Sequence, residues 1–470
     1  MKRKKFTLSN LPITGYAAEG RSVAKADGKV FFIEGAVPGD VVDAFISTNK
    51  KDWGQGRATR IIEYSKERAE PFCRHFGTCG GCKWQMLPYH KQLQYKQQET
   101  ENNFKKIAKV PLPEILPIAG ADATRQYRNK LEFTFSNKRY LSAEEIEKAG
   151  SITQENALGF HVPRIFDKVI DIQQCFLMDE VNNTIRNSIR AFAAQKNYSF
   201  YDIKQHTGWL RNIIIRYCST GELMVNVCIG YKDDTATNEL MEFIVQQVPG
   251  ISSLYYTINP KWNDTIYDLT PVLYYGKGYV TEQLSKYRFK IGPKSFFQTN
   301  TRQAEKLYSI ARDFAGLTGQ EIVYDLYCGT GSIGIFVSDA AKKIIGVETV
   351  AEAIEDAKEN AALNHISHAL FFAGDVIDVC NDTFFETHGR PDVVITDPPR
   401  AGMHEKLVHK LLDIAAPKIV YVSCNTATQA RDIALLAEKY EVVKLQPVDM
   451  FPHTHHIECV ALLQLKNIAH

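Results

Sequence analysis

Short apolar runs, and the turns that break them, divide the chain. Within residues 1–65, FTLSN, GKVFFIEG, DVVDAFIST and QGRATRIIEYS are strand-like. AVPGD and the charged NKKDWGQG separate them, which predicts a small β-barrel. Barrels of this size bind single-stranded nucleic acid on one face or simply support their neighbours. Lys91 to about Lys109 is rich in Lys, Gln and Glu and predicts a helix. Residues 110–290 alternate strand-like runs (KLEFTFSN, ALGFHV, LRNIIIRYC, ELMVNVCIG, SLYYTIN) with a few helical ones, which predicts a central α+β domain. From about residue 295 the pattern becomes strand–helix–strand. EIVYDLY, KKIIGVE, LFFAG, DVVITD and KIVYVS are near-continuous apolar strands, and AEAIEDAKENAALNH and HEKLVHKLLDIAA are helical. This is the signature of an open α/β sheet.

Composition adds limits. The 470 residues exceed the size at which one core stops growing, so two or three domains are expected. With 44% hydrophobic and 23% charged residues, disorder is excluded as the main state. No apolar run approaches the roughly 18 residues of a membrane span. MKRKKFTLSN is followed by no apolar stretch, so a cytoplasmic protein without membrane contact is expected; a monomer is expected as well. The net charge of +2 hides an asymmetry: residues 1–110 hold 20 basic and 11 acidic residues, the remainder 36 and 43. A basic N-terminal quarter suggests either a local polyanion contact or a solvated charged face.

Candidate chemistry concentrates in the α/β region. Asp325-Leu326-Tyr327-Cys328-Gly329-Thr330-Gly331-Ser332-Ile333-Gly334 contains G-x-G-x-x-G after a strand. Glu348 ends the next strand, where a carboxylate can accept from both hydroxyls of a ribose. A dinucleotide site uses the same logic. Asp325 just before the loop, and Asp397-Pro398-Pro399-Arg400 at a later strand end, favour a cationic amino-acid-bearing cofactor, S-adenosylmethionine. Cys424 follows the strand KIVYVS, and Asn425-Thr426 can cap a helix running to about Lys439. A thiol there would have its thiolate favoured by the helix dipole, as a nucleophile needs. Asp449 to Cys459 holds three His and Glu458; in a strand, His456 and Glu458 would share one face and His453 and His455 the other. That spreads the ligands of any metal, and Glu458 fits better as a proton acceptor.

These motifs resemble the S-adenosylmethionine-dependent RNA (uracil-5-)-methyltransferases, in particular the branch acting on 23S ribosomal RNA. GKVFFIEGAVPGD looks like that family's TRAM barrel, and YRNK (127–130) like the start of its central domain. SFFQTN (295–300), DLYCGTG (325–331), DPPRAG (397–402), SCN (423–425) and FPHTHHIE (451–458) resemble its catalytic motifs. The resemblance implies a barrel over 1–65, a central domain over 66–290 and a class I, Rossmann-like α/β methyltransferase domain over 291–470. It implies that Cys424 attacks C6 of the uracil, that Glu458 takes the C5 proton, and that Gln298, Tyr327, Glu348 and Asp397 bind the cofactor. The expected product is 5-methyluridine in 23S rRNA. Transfer RNA is the alternative, disfavoured because that branch typically lacks the barrel and a cysteine cluster. A NAD-dependent oxidoreductase and a non-catalytic RNA-binding protein are alternatives of other classes.

Cys73-x5-Cys79-x2-Cys82 has ligand-like spacing, and Cys175 is the best fourth partner. The resemblance points to the same four residues as holders of a [4Fe–4S] cluster; four thiolates would equally suit zinc.

Overall fold

The computed structural model describes residues 5–149 and 155–467. Strands β1 (Phe6–Ala17), β2 (Arg21–Ala26), β3 (Lys29–Glu34), β4 (Val41–Asn49) and β5 (Trp53–Glu63) close a barrel in the order β1-β2-β3-β5-β4. Alternate residues such as Leu11, Ile13, Phe31, Ile33, Val42 and Ile46 fill its interior. Two glycines let β5 pass its neighbours closely. A Cβ at Gly54 would stand 2.5 Å from the Phe31 ring, and one at Gly56 2.3 Å from the Phe45 carbonyl. Buried Asp40 pins the chain leaving the barrel: it accepts from the Ser65 amide at 2.8 Å and from Arg68 Nε and Nη2 at 2.9 and 2.8 Å.

Helix α1 (Tyr89–Asn103) follows and runs into a π-turn over Phe104–Ala108. Its sequence is polar, yet Gln92, Lys96 and Thr100, spaced by four, are fully buried. They are buried because the helix is wedged between two domains. Tyr16 of the barrel packs edge-on against Tyr95 at 4.7 Å, while Phe104 and Ala108 enter the core of the C-terminal domain. Lys96 Nζ pairs with Asp449 Oδ1 at 2.6 Å, both side chains wholly buried. Burial pulls the ammonium below its ordinary range, and Asp449 opposes that pull. Removing one partner of a buried pair strands the other charge, so Lys96→Ala is expected to cost about 3–5 kcal/mol in denaturant unfolding.

The central domain contains β6 (Lys130–Ser136), α2 (Ala143–Ala149), β7 (Ala157–Val162), β8 (Ile165–Asp171), α3 (Val181–Gln195), β9 (Leu210–Tyr217), β10 (Leu223–Ile229), α4 (Asp234–Gln247), β11 (Ile251–Ile258) and β12 (Val272–Gly276). Its sheet runs β12-β11-β10-β9-β6-β7-β8. Helices α3 and α4 pack together on it, with Phe192 and Phe243 stacked at 4.0 Å. A hairpin, β13 (Val280–Leu284) and β14 (Tyr287–Ile291), leads onward.

The C-terminal domain continues with α5 (Thr301–Ala315), β15 (Ile322–Leu326), α6 (Ser332–Val337), β16 (Lys343–Glu348), α7 (Ala351–Leu363), β17 (Ala369–Ala373), α8 (Val376–Val379), α9 (Asp382–His388), β18 (Val393–Thr396), α10 (Glu405–Ile414), β19 (Lys418–Ser423), α11 (Thr426–Leu436), β20 (Tyr440–Val448) and β21 (Glu458–Leu465). The sheet order is β17-β16-β15-β18-β19-β21-β20, parallel except where β21 pairs with β19 and β20. Strands β15, β16, β18 and β19 are buried on both faces, hence their unbroken apolar runs. The barrel, the central α+β domain and the Rossmann-like α/β domain expected from the sequence are all present. No helix among the described residues is long and apolar enough to cross a membrane.

Candidate active site

The carboxyl ends of β15, β16, β18 and β19 meet at one edge of the sheet, where open α/β folds bind ligands. The loop after β15 turns through three left-handed residues, Tyr327 (φ 61°), Gly329 (φ 52°) and Gly331 (φ 76°). Gly331 and Gly334 have no room for a Cβ: it would stand 3.0 Å from the Phe371 ring at the first and 2.9 Å from Ile344 at the second. The Gly334 amide donates to Asp325 Oδ2 at 2.8 Å, fixing the start of α6 to the strand end. Glu348 accepts from the Gly329 amide at 3.3 Å and the Val350 amide at 3.0 Å, so the acidic strand end also holds the glycine loop.

Gln298 lies on the segment before α5, and its placement depends on the YRNK motif. Asn129 Nδ2 donates to the Gln298 carbonyl at 3.0 Å and to Thr301 Oγ1 at 2.9 Å. The Asn129 amide donates to the Thr299 carbonyl at 2.7 Å. Sequence reading treated YRNK as a domain start and missed this clamp. No local signal marked it, because Asn129 meets its partners across 169 to 172 residues of chain.

Cys424 and Glu458 come together through sheet register. Ser423, the last residue of β19, pairs with Cys459 in antiparallel β21, so the next residue on one strand meets the one before on the other. Asn425 caps α11 by accepting from the Ala427 amide at 3.0 Å; the helix ends at Leu436, one turn short of the expected Lys439. The expected thiolate is not favoured. Burial, then the charges of Glu458 and Asp397, push the Cys424 thiol up to about 12, against the pull of Arg400. Glu458 is driven well above the ordinary carboxyl range by burial and then by Asp397.

Residues 449–457 form a turn-rich loop, not a strand, so the expected two-faced arrangement of histidines is absent. His453 sits at φ 65° and is clamped by helix α1 and the preceding segment. Its carbonyl accepts from the Lys83 and Trp84 amides at 2.8 and 3.0 Å, and its amide donates to Gln92 Oε1 at 2.8 Å. His455 and His456 face a cavity of about 170 Å³ beside Cys424. Glu19, Glu99 and Asn103, from the N-terminal quarter, close its other side. Burial lowers His455 to about 3 and His456 to about 4, so both are neutral.

The residues at the sheet edge fit a cationic cofactor. Asp325 Oδ1 is buried without a partner. Burial lifts both Asp325 and Asp397 to about 7, and Asp397 adds its charge to Asp325 and to Glu458. This acidic edge lacks a positive charge that a sulfonium and an α-ammonium would supply.

The expected metal centre is overturned. Among the described residues no group of three or more His, Cys, Asp or Glu side chains could hold a metal ion, which argues against both the [4Fe–4S] cluster and zinc. Cys73, Cys79, Cys82 and Cys175 line a mostly apolar cavity of about 30 Å³ with Phe76 and Leu177. Burial raises Cys79 to about 12 and Cys82 to about 11. Close spacing along the chain marked a shared pocket and was misread as a donor set.

Comparison with known proteins agrees with the geometry. A family model for tRNA (uracil-5-)-methyltransferase matches residues 385–466, and one for a methyltransferase small domain matches 312–420. An RNA methyltransferase of Bacteroides thetaiotaomicron is 53% identical over 96% of this chain and 100% of its own length. One of Porphyromonas gingivalis is 50% identical over 96% and 99%. The crystal structure of Pyrococcus abyssi tRNA (uracil-54, C5)-methyltransferase in complex with S-adenosyl-L-homocysteine superposes with a TM-score of 0.73 at 26% identity, covering 96% of this chain and 100% of that one. With its nucleophile-like cysteine and buried carboxyl meeting at the acidic edge of a Rossmann-like sheet, the chain belongs to the S-adenosylmethionine-dependent RNA methyltransferases that act at C5 of uracil.

Proposed function

We propose that the protein methylates a uridine of transfer RNA through a covalent bond from Cys424 to C6. The register that sets Cys424 beside Glu458 supports the mechanism. The reaction needs both groups. C5 of uracil is a poor nucleophile, and addition of the Cys424 thiolate at C6 shifts the C5=C6 electrons into an enolate spread over C5 and O4. The bound cofactor supplies an electrophilic methyl group on sulfur. Asp325, Gln298, Tyr327, Glu348 and Asp397 would hold it against C5. C5 then carries both a methyl group and its original hydrogen. Glu458 takes that proton, the electrons reform C5=C6, and the Cys424 sulfur leaves. A base in a helix must be flipped out to meet Cys424 on one face and the methyl donor near C5.

The choice of transfer RNA revises the expectation of 23S rRNA. That expectation leaned on the barrel and a cysteine cluster as marks of the ribosomal branch, and no metal-holding group is found among the described residues. The Pyrococcus abyssi enzyme acts on tRNA and matches 96% of this chain, so a barrel does not separate the two substrates. The test is 5-methyluridine mapping in tRNA and rRNA from a deletion strain and its complement. Loss from tRNA alone is expected; loss from 23S rRNA alone would reverse the assignment.

A further inference from the structure

The cavity beside Cys424 is closed by two carboxyls, Glu19 and Glu99, to which the reaction just described gives no work. Glu99 lines it from α1, and Arg400, His455 and His456 line it from the catalytic domain. Uracil entering this cavity toward Cys424 carries an edge of two kinds of group: N3–H, a donor, between the acceptors O4 and O2. We propose that Glu99 is a further catalytic residue of the uracil site, its carboxyl accepting from N3–H and donating its own O–H to O4. The proposal rests on the uracil-C5 reading.

The chemistry rewards a donor at O4. When sulfur adds to C6, negative charge develops on O4, and a neutral donor already in place stabilises that charge without reorganising. No proton is transferred; the O–H bond shortens its contact as charge grows. A carboxyl can do this only while protonated. Burial raises Glu99 to about 7, with the neighbouring Glu19 charge adding to the rise and Lys96 and the Glu19 amide opposing it. Of the other groups facing the cavity, which include Glu19 and Arg400, His455 and His456 lie at about 3 and 4, and Cys424 at about 12. Asp325 and Asp397, also at about 7, stand on the cofactor side, where loss of their protons favours a cation.

The sign follows. Glu99 has a folded value above the ordinary carboxyl range, so its donor is present below about pH 7 and is lost as pH rises through it. The full-length protein is assayed for 5-methyluridine formation on an RNA hairpin, with S-adenosylhomocysteine binding measured by calorimetry. Wild type is expected to show a limb of kcat that falls above about pH 7, on top of the rise contributed by Cys424 and Glu458. Glu99→Gln, whose amide donates and accepts at every pH, is expected to keep activity at pH 6 and lose the falling limb. Glu99→Ala is expected to lose on the order of 10²-fold in kcat with the KM for RNA and the cofactor affinity little changed. A falling limb that persists in Glu99→Gln, or a Glu99→Ala kcat within about twofold of wild type, overturns the role. If Glu99→Ala does not fold, the isosteric Glu99→Gln profile decides alone. Wild type that forms no 5-methyluridine would instead sink the uracil-C5 reading, and the proposal with it.

Discussion

Cys424→Ala is expected to abolish turnover and to prevent any covalent complex with RNA bearing 5-fluorouridine at the target. In wild type, sulfur adds to C6 and C5 accepts the methyl group. Fluorine then occupies the place of the proton and cannot leave as a cation. The enzyme should remain attached and migrate as a stable protein–RNA band. Without sulfur there is no enolate, so neither methylation nor attachment follows. Loss of a nucleophile that starts a covalent pathway is on the order of 10⁶-fold in rate. The Cys424 side chain is half-buried and makes no packing contribution comparable to that loss, so the variant should still bind S-adenosylhomocysteine. Attachment surviving in the alanine variant would assign the nucleophile elsewhere; Cys459, buried on the adjacent strand, would be the first to examine.

The second large effect is expected at Glu458. Glu458→Gln keeps the shape of the carboxyl and removes its basicity. Addition and methyl transfer should proceed, and elimination should stall. Intact RNA should then accumulate as a methylated protein adduct, visible as the mass of protein plus RNA plus one methyl group. Turnover should fall by about 10²–10⁴-fold, the usual contribution of a positioned base. Burial and the neighbouring Asp397 charge hold Glu458 protonated to unusually high pH, so in wild type the elimination step should slow as pH falls. Release of product at the wild-type rate from Glu458→Gln would remove it as the base.

How much of this was legible in the sequence depends on whether the cause was local. The glycine loop, Asp397 and the Cys424 strand end were legible because each sits at a strand–loop junction. There the apolar run stops and turn residues begin. The meeting of Cys424 with Glu458 was inferable only from family resemblance, since it depends on antiparallel register between β19 and β21. The helix dipole is only one influence on Cys424. Burial, and then the acidic groups of Glu458 and Asp397, contributed by residues distant in the chain, act on the same sulfur in the opposite direction. The metal expectation rested on the spacing of Cys73, Cys79 and Cys82 along the chain, and spacing alone does not fix the three-dimensional arrangement that a metal-holding group needs, of which none is found among the described residues. The buried polar stripe of α1 was not legible at all, because the groups that satisfy Lys96 and Gln92 lie about 350 residues or more downstream.

That last separation has a consequence for the protein as it is made. Asp449 and His453, which the buried face of helix α1 requires, follow Lys96 and Gln92 by 353 and 361 residues. At ordinary elongation rates of about 5–20 residues per second, the wait is roughly 20–70 seconds. During it the Lys96 ammonium must stay in water, because burying it alone would be prohibitive. The barrel can close on its own short-range pairings, whereas the helix that joins it to the nucleophile's domain locks only once Asp449 and His453 have been made. Assembly of the active site thereby waits for the segment that carries Asp449 and His453, and a nascent chain that stalls before residue 449 has no finished cavity in which to bind RNA.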